Sequence, residues 1–402
     1  MSGDVRRLAD WDAERLRALA DEYGTPTYVL DLDRITENCA TLRSAFPEAH
    51  VAFAVKANTT RAALETVLEA GLDAECAAAG EVHRALEAGF PPERIRYTAV
   101  LPPEADLDFV TQHDITITVG ALDTLDSLER RGFDGRLAVR VNPGIGAGHH
   151  AKVTTGTEPK FGIPYERAVE ACERAREVGE LVGIHAHAGS GISGEDLSAH
   201  RALVERMGDL ARDVGDLEFV DVGGGFGVPY REDEPPLDLD AVAAATREAL
   251  GETDAQLAVE PGRYVTADAG VLLTRVNTVK ETPETPVVGV DAGMTTLVRP
   301  AMYGAYHAIR TLAADADART VREVEMAGPV CETSDVLARE RSLPDPIRGD
   351  VLAIGNAGAY GYEMSSQYNS RPRPAVVALT GDDDRLAVRR ETLADLTALE
   401  QW

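Results

Sequence analysis

Between residues 50 and 263, short apolar runs rich in β-branched residues alternate with amphipathic stretches of helical period, and this alternation restricts the chain more than any other feature. Repeated strand–helix units bring consecutive strands into parallel pairing and cover both faces of the sheet. The runs are 50–57 (H-V-A-F-A-V-K-A), 73–78, 95–100, 115–119, 137–142 (L-A-V-R-V-N), 181–188 (L-V-G-I-H-A-H-A), 217–223 and 256–260 (Q-L-A-V-E). Eight such runs suit closure, so the spacing predicts an α/β chain with a (β/α)8 TIM barrel over residues 33–268. After about residue 270 the helical period fades into V-L-L-T-R-V, P-V-V-G-V-D, V-R-E-V-E-M-A, D-V-L-A-I-G, A-V-V-A-L and L-A-V-R-R, separated by turn residues. That pattern predicts an antiparallel β domain over 269–402. A strand-like run at Pro26–Leu32 follows an amphipathic stretch over 1–24, and residues 1–32 are expected to join the C-terminal sheet.

Charge narrows the function classes. Asp and Glu number 68 against 40 Lys and Arg, a formal charge of -28, which makes nucleic acid or an anionic membrane an unfavourable partner. Only Lys56, Lys152, Lys160 and Lys280 are lysines. A G+C-rich genome explains arginine in place of lysine but not the acid excess, which suits a salt-rich cytosol where the Debye length shrinks to ~3 Å at ~1 M. A salt-loving source and a cytoplasmic location are therefore expected. Cys39, Cys76, Cys172 and Cys331 show neither zinc-ligand spacing nor a disulfide framework, so no metal is expected. No apolar run approaches the ~18 residues of a membrane span.

In a barrel of this kind the active site lies at the C-terminal ends of the strands. The first run ends in A-V-K-A-N, placing Lys56 at a strand mouth. A lysine there is either a solvated rim residue or, when partly desolvated, an amine that can form a Schiff base. The sixth run ends H-A-H-A-G-S-G, so strand alternation puts His185 and His187 on one face, with Ser190 in the loop beyond, and one histidine can reach a ligand. Gly223, Gly224 and Gly225 after the seventh run let backbone N–H groups approach an anion, and V-E-P-G-R after the eighth brings Glu260, Gly262 and Arg263 to the neighbouring mouth. Loops after strands seven and eight are the usual phosphate site of such barrels. Lysine, histidine, carboxylate and phosphate cradle are together the parts that pyridoxal 5'-phosphate requires.

On these residues the chain resembles the fold-type III decarboxylases of the alanine-racemase-like barrel group, and most closely the diaminopimelate decarboxylases. The resemblance runs from P-T-Y-V-L-D to R-P-R-P-A-V-V and includes V-D-A-G-M-T-T-L-V-R-P-A-M-Y-G-A-Y-H, G-P-V-C-E-T-S-D and G-A-Y-G-Y-E-M-S-S-Q-Y-N-S-R-P-R-P. It implies that Lys56 joins the cofactor's aldehyde, that His187 stacks on its ring, and that Glu260 keeps its pyridine nitrogen protonated. Ser190, Gly224, Gly225, Gly262, Arg263 and Tyr360 would hold the phosphate or the substrate's edge. Arg299 and Tyr303 would grip the distal end of a small amino acid. Cys331 and Glu332 would enter from the second subunit of a homodimer with composite active sites, Cys331 or a water returning the proton. The implied reaction is decarboxylation of meso-2,6-diaminopimelate to L-lysine, the last step of lysine biosynthesis. Relatives acting on ornithine, arginine or carboxynorspermidine, an alanine-racemase-like enzyme and a non-enzymatic pyridoxal phosphate carrier are the alternatives. Three departures bear on substrate fit: Phe53 replaces the family's usual Tyr, Ser334 replaces a glycine in C-E-T-S-D, and the stretch G-A-G-H-H-A-K-V-T-T-G-T-E-P-K-F-G-I keeps T-G and K-F-G-I while the residues between are altered.

Overall fold

In the computed structural model, residues 5–145, 160–187, 189, 192 and 196–401 are described. The chain divides into two compact units, one formed by residues 36–228 and 235–265, the other by residues 5–35, 229–234 and those from 266 onward.

Helix α1 (Ala13–Tyr23), strand β1 (Thr27–Asp31) and helix α2 (Leu32–Ala45) open the chain. Nine parallel strands follow: β2 (His50–Ala54), β3 (Asp73–Cys76), β4 (Ile95–Tyr97), β5 (Thr116–Val119), β6 (Arg136–Asn142), β7 (Ile163–Pro164), β8 (Glu180–His185), β9 (Phe219–Asp221) and β10 (Gln256–Val259). Each of β2 to β6 pairs with the next, β6 pairs with β8, and β10 returns to β2, so eight strands close a ring. They are the eight runs read from the sequence, while the two-residue β7 rides on β6. Between them lie α3 (Arg61–Glu69), α4 (Ala79–Glu87), α5 (Glu104–Val110), α6 (Leu122–Arg130), α7 (Ala168–Val178), α8 (Ser198–Val214) and α9 (Leu239–Leu250).

The longest of these helices shows why the sequence folds this way. Helix α8 buries Leu203, Val204, Met207, Leu210 and Ala211, a stripe at the 3.6-residue period. Full burial of a large apolar side chain such as leucine contributes about 1.5–3 kcal/mol. Helix α9 starts where the Asp238 carboxylate accepts the Ala241 N–H at 3.0 Å, satisfying a donor that a helix start leaves without a partner. The two helices touch closely at Gly208, where an added Cβ would fall 2.2 Å from the Leu250 carbonyl oxygen. A glycine inside a helix is therefore explained here by contact and not by a turn.

The second unit is built on a mixed sheet. Its strands are β1, β11 (Gly270–Lys280), β12 (Val287–Val290), β13 (Ile309–Thr311), β14 (Val321–Ala327), β15 (Val336–Pro344), β16 (Val351–Ile354), β17 (Ala375–Thr380) and β18 (Asp383–Val388), in the order β15-β14-β12-β11-β1-β17-β18, with β16 on β11 and β13 on β16. Alternate residues Val29, Val271, Leu273, Val351, Ala353, Val377 and Leu379 form one core with Trp11, Leu16, Leu19 and Ala20. Helix α1, started by Asp12, covers this face.

Three details differ from the sequence reading. The pairings β1–β17 and β12–β14 are parallel, because neither pair is joined by a hairpin that would force antiparallel entry. Strands β13 and β15 escaped notice; V-L-A-R-E-R-S-L-P carries too many charges to show a clean alternation. Pro229–Glu234, within the barrel's span of sequence, belongs to the second unit, where the Pro229 and Arg231 carbonyls accept from Asn356 and Arg7.

Candidate active site

The barrel places charged side chains at its strand ends in a setting where burial makes each of them costly. A short turn, Val55–Ala57, follows β2 and carries Lys56, whose Nζ lies 2.5 Å from Glu75 Oε2 on β3. Glu75 is buried to 2% exposure, whereas the Lys56 side chain remains 40% exposed. Glu260 directly follows β10 and is also buried. Its Oε2 lies 3.1 Å from His185 Nε2 at the end of β8, while its Oε1 is buried without a hydrogen-bond partner among the described residues.

Burial, then the Glu75 carboxylate, raises the Glu260 pKa against the pull of Lys56 and Arg140. Burial holds His185 down to about 4, so its ring is neutral where its Nε2 shares a hydrogen bond with Glu260. Burial also holds His187 well below the usual histidine range. The Gly224 N–H donates to His187 Nδ1 at 3.1 Å, which leaves the proton of the neutral ring on Nε2. Asp221, at the end of β9, accepts from Gly223 N–H at 2.8 Å and from Arg96 Nη1 at 2.9 Å. Thus one carboxylate ties the glycine turn to β4.

The glycines are required by contact. A Cβ at Gly224 would lie 2.1 Å from the Glu260 carbonyl oxygen, and one at Gly225 would lie 2.7 Å from the Gly189 oxygen. The turn is consequently pressed against two other strand ends with only backbone at its surface. This surface, the Glu260 Oε1 without a partner among the described residues, the neutral His187 ring and Lys56 have the chemistry that could hold the phosphate, pyridine nitrogen, ring face and aldehyde of pyridoxal phosphate.

The model of the pyridoxal-dependent decarboxylase family's pyridoxal-binding domain matches residues 32–267. The diaminopimelate decarboxylase of Methanothermobacter thermautotrophicus is 44% identical over 94% of this chain and 92% of its own length. That of Escherichia coli is 38% identical, with 97% of both chains covered. The crystal structure of the Helicobacter pylori diaminopimelate decarboxylase complexed with L-lysine aligns with a TM-score of 0.90 at 33% identity, covering 96% of this chain and 99% of that one.

The chain belongs to the diaminopimelate decarboxylases.

The residues expected of a diaminopimelate decarboxylase fall in both units. Lys56, His187, Gly224, Gly225, Glu260, Gly262 and Arg263 lie in the first, Arg263 opening the short helix α10 (Arg263–Thr266). Ser190 and residues 146–159 lie outside the described residues. In the second unit, helix α11 (Arg299–Tyr303) carries Arg299 and Tyr303 at its two ends, and Arg299 is buried to 3% exposure. Tyr360 holds a left-handed backbone with φ 56°, a strained choice for a residue with a bulky side chain. Cys331 and Glu332 are exposed; Asn369 Nδ2 lies 3.2 Å from Cys331 Sγ, and the Tyr368 hydroxyl donates to Glu332 Oε1.

Four charged barrel residues were not picked out from the sequence: Glu75, Arg96, Arg140 and Asp221. Their signal was a charge inside an otherwise apolar parallel strand, as in L-A-V-R-V-N, which only an inward-facing partner makes tolerable.

Burial and the Glu260 carboxylate push Asp221 up to about 7 from 3.8, so between these values the folded chain binds more protons and loses stability as pH rises. His185 and His200, each held down to about 4 from 6.5, act in the opposite direction as pH falls through that window. Asp221→Asn removes only the first contribution. Urea midpoints of cofactor-free protein between about pH 5 and about pH 7 should therefore decline less, or climb more, in the variant. Equal slopes would mean that Asp221 is ionised throughout.

Proposed function

We propose that this protein decarboxylates meso-2,6-diaminopimelate to L-lysine and CO2 with pyridoxal 5'-phosphate. The observation that carries this reading is the near full-length similarity to diaminopimelate decarboxylases, joined to a barrel mouth whose buried Glu260 oxygen awaits an N–H.

Bound pyridoxal phosphate supplies an electron-poor ring that accepts the electron pair left behind as CO2 departs. Lys56 holds the cofactor's aldehyde end through Nζ, and Glu75 keeps a proton of that nitrogen within reach. Glu260 would accept the ring N–H at Oε1, which is buried without a partner among the described residues, and the positive charge there would favour its anion. His187 offers its neutral ring as a stacking face, with Gly224 fixing its orientation. Ser190, Gly225, Gly262, Arg263 and Tyr360 hold the phosphate and the near end of the substrate. Arg299 and Tyr303 bind the far end. Cys331 gives the proton that replaces the lost carboxylate, and Glu332 binds the substrate beside it. Both of these exposed side chains come from the partner copy of a homodimer.

Borohydride reduction of the holoenzyme followed by peptide mapping should label Lys56. A label on Lys152, Lys160 or Lys280 would overturn its role.

A charge-assisted contact from Arg299 to a carboxylate contributes about 1.5–3 kcal/mol, roughly one to two decades in affinity. Arg299→Ala should lower kcat/KM for diaminopimelate by roughly tenfold to a few hundredfold. Assays with diaminopimelate, ornithine, arginine and lysine check this, and a native preference for ornithine or arginine sinks the substrate assignment.

Mixing Lys56→Ala with Cys331→Ala should restore activity through heterodimers with one intact site. Subunit exchange without recovered turnover places the whole site within one chain. The charge of -28 further points to a salt-rich cytoplasm: the unfolding temperature should climb as potassium chloride goes from about 0.1 M to about 2 M, because screening relieves self-repulsion. A flat or falling curve removes that proposal.

A further inference from the structure

Arg299 is held by two neighbours of its own unit. Its Nη1 donates to Tyr230 Oη at 2.8 Å and faces His307 Nε2 at 3.1 Å. A guanidinium only donates, so His307 Nε2 must present a lone pair. Across the ring, His307 Nδ1 lies 2.8 Å from the Gly355 carbonyl oxygen, which only accepts. Nδ1 therefore carries the hydrogen, and the two contacts together select one neutral tautomer. The ring has little freedom to leave this pose: His307 is buried to 1% exposure, and Tyr230 meets it edge-on with centroids 5.3 Å apart at 88°. Gly355 directly follows β16, so the reference point for the imidazole is sheet backbone.

Tyr230 and the neutral His307 are uncharged acceptors, so these two contacts set the direction of Nη1 without adding an opposite charge beside it. We propose that His307, supported by Tyr230, is a positioning residue that aims Arg299 at the carboxylate remaining on the substrate after CO2 leaves. The inference rests on the diaminopimelate reading above. Loss of CO2 from one end leaves the other end's carboxylate in place, so L-lysine carries the recognised group and the diamine cadaverine does not.

The test uses holoenzyme variants. His307→Phe keeps an aromatic ring without the lone pair, and His307→Asn keeps an N–H for Gly355 but is too short to reach Arg299. His307→Gln puts an acceptor oxygen near the position of Nε2. The Phe and Asn variants should raise KM for diaminopimelate and Ki for L-lysine about tenfold, one decade being ~1.4 kcal/mol. Their kcat should stay within about twofold and their Ki for cadaverine should not change, while the Gln variant recovers most of the lost affinity. Unchanged KM and lysine Ki in Phe or Asn, or a loss confined to kcat, overturns the proposal. If the Phe variant does not fold, the Asn and Gln pair decides by the same criteria. Arg299→Ala measured alongside separates the two readings. If it raises KM and lysine Ki where the His307 variants do not, the positioning role alone fails. If it too changes neither, the assignment of Arg299 to the substrate fails, and the proposal falls with it.

Discussion

Charges at the mouth of a closed barrel persist only when each has a partner, and this requirement organises the first unit. Lys56 faces Glu75, Arg96 faces Asp221, and Glu260 Oε2 faces His185 Nε2. In the buried Arg96–Asp221 pair, removing one member leaves the other in a poor solvent, which typically costs about 3–5 kcal/mol. The strands supplying these groups are consequently locked to one another by more than their ladders. Within this network one buried carboxylate oxygen, Oε1 of Glu260, has no partner among the described residues, and that gap gives the network a chemical direction.

The second unit solves a different problem with different means. Arg299 is more buried than Arg96 or Glu260, yet the contacts at its Nη1 are a phenol and an imidazole. Neutral acceptors fix the direction of a guanidinium without themselves neutralising it. Thus burial of charge is met by opposite charges in the barrel and, at Arg299 Nη1, by neutral acceptors.

Much of this was readable in advance, and particular residues show why. The eight strands were legible because parallel strands covered on both faces must be apolar and short, with helical text between them. Lys56 stood out because lysine is scarce in this chain, and Glu260 because V-E-P-G-R breaks an apolar run at a strand end. Ser190 was singled out but lies outside the described residues. Arg96, Arg140, Glu75 and Asp221 sat inside the very runs read as strands, and period-2 alternation alone does not say which charge meets which. Strand β15 was hidden by its own charges, and the parallel entry of β1 beside β17 by the roughly 350 residues between them.

The sequence by itself determined the local and repetitive features: the alternation of strand and helix, the capping carboxylates Asp12 and Asp238, and the residue types gathered at strand ends. These depend on neighbours a few positions away, where spacing along the chain is spacing in space. Tertiary structure alone decided the pairings Lys56–Glu75 and Arg96–Asp221, the tautomers of His187 and His307, and the attachment of Pro229–Glu234 to the second unit. Each joins residues distant in sequence. Their energies depend on burial and on separations of about 3 Å, which exist only after the strands have closed and the sheet has paired.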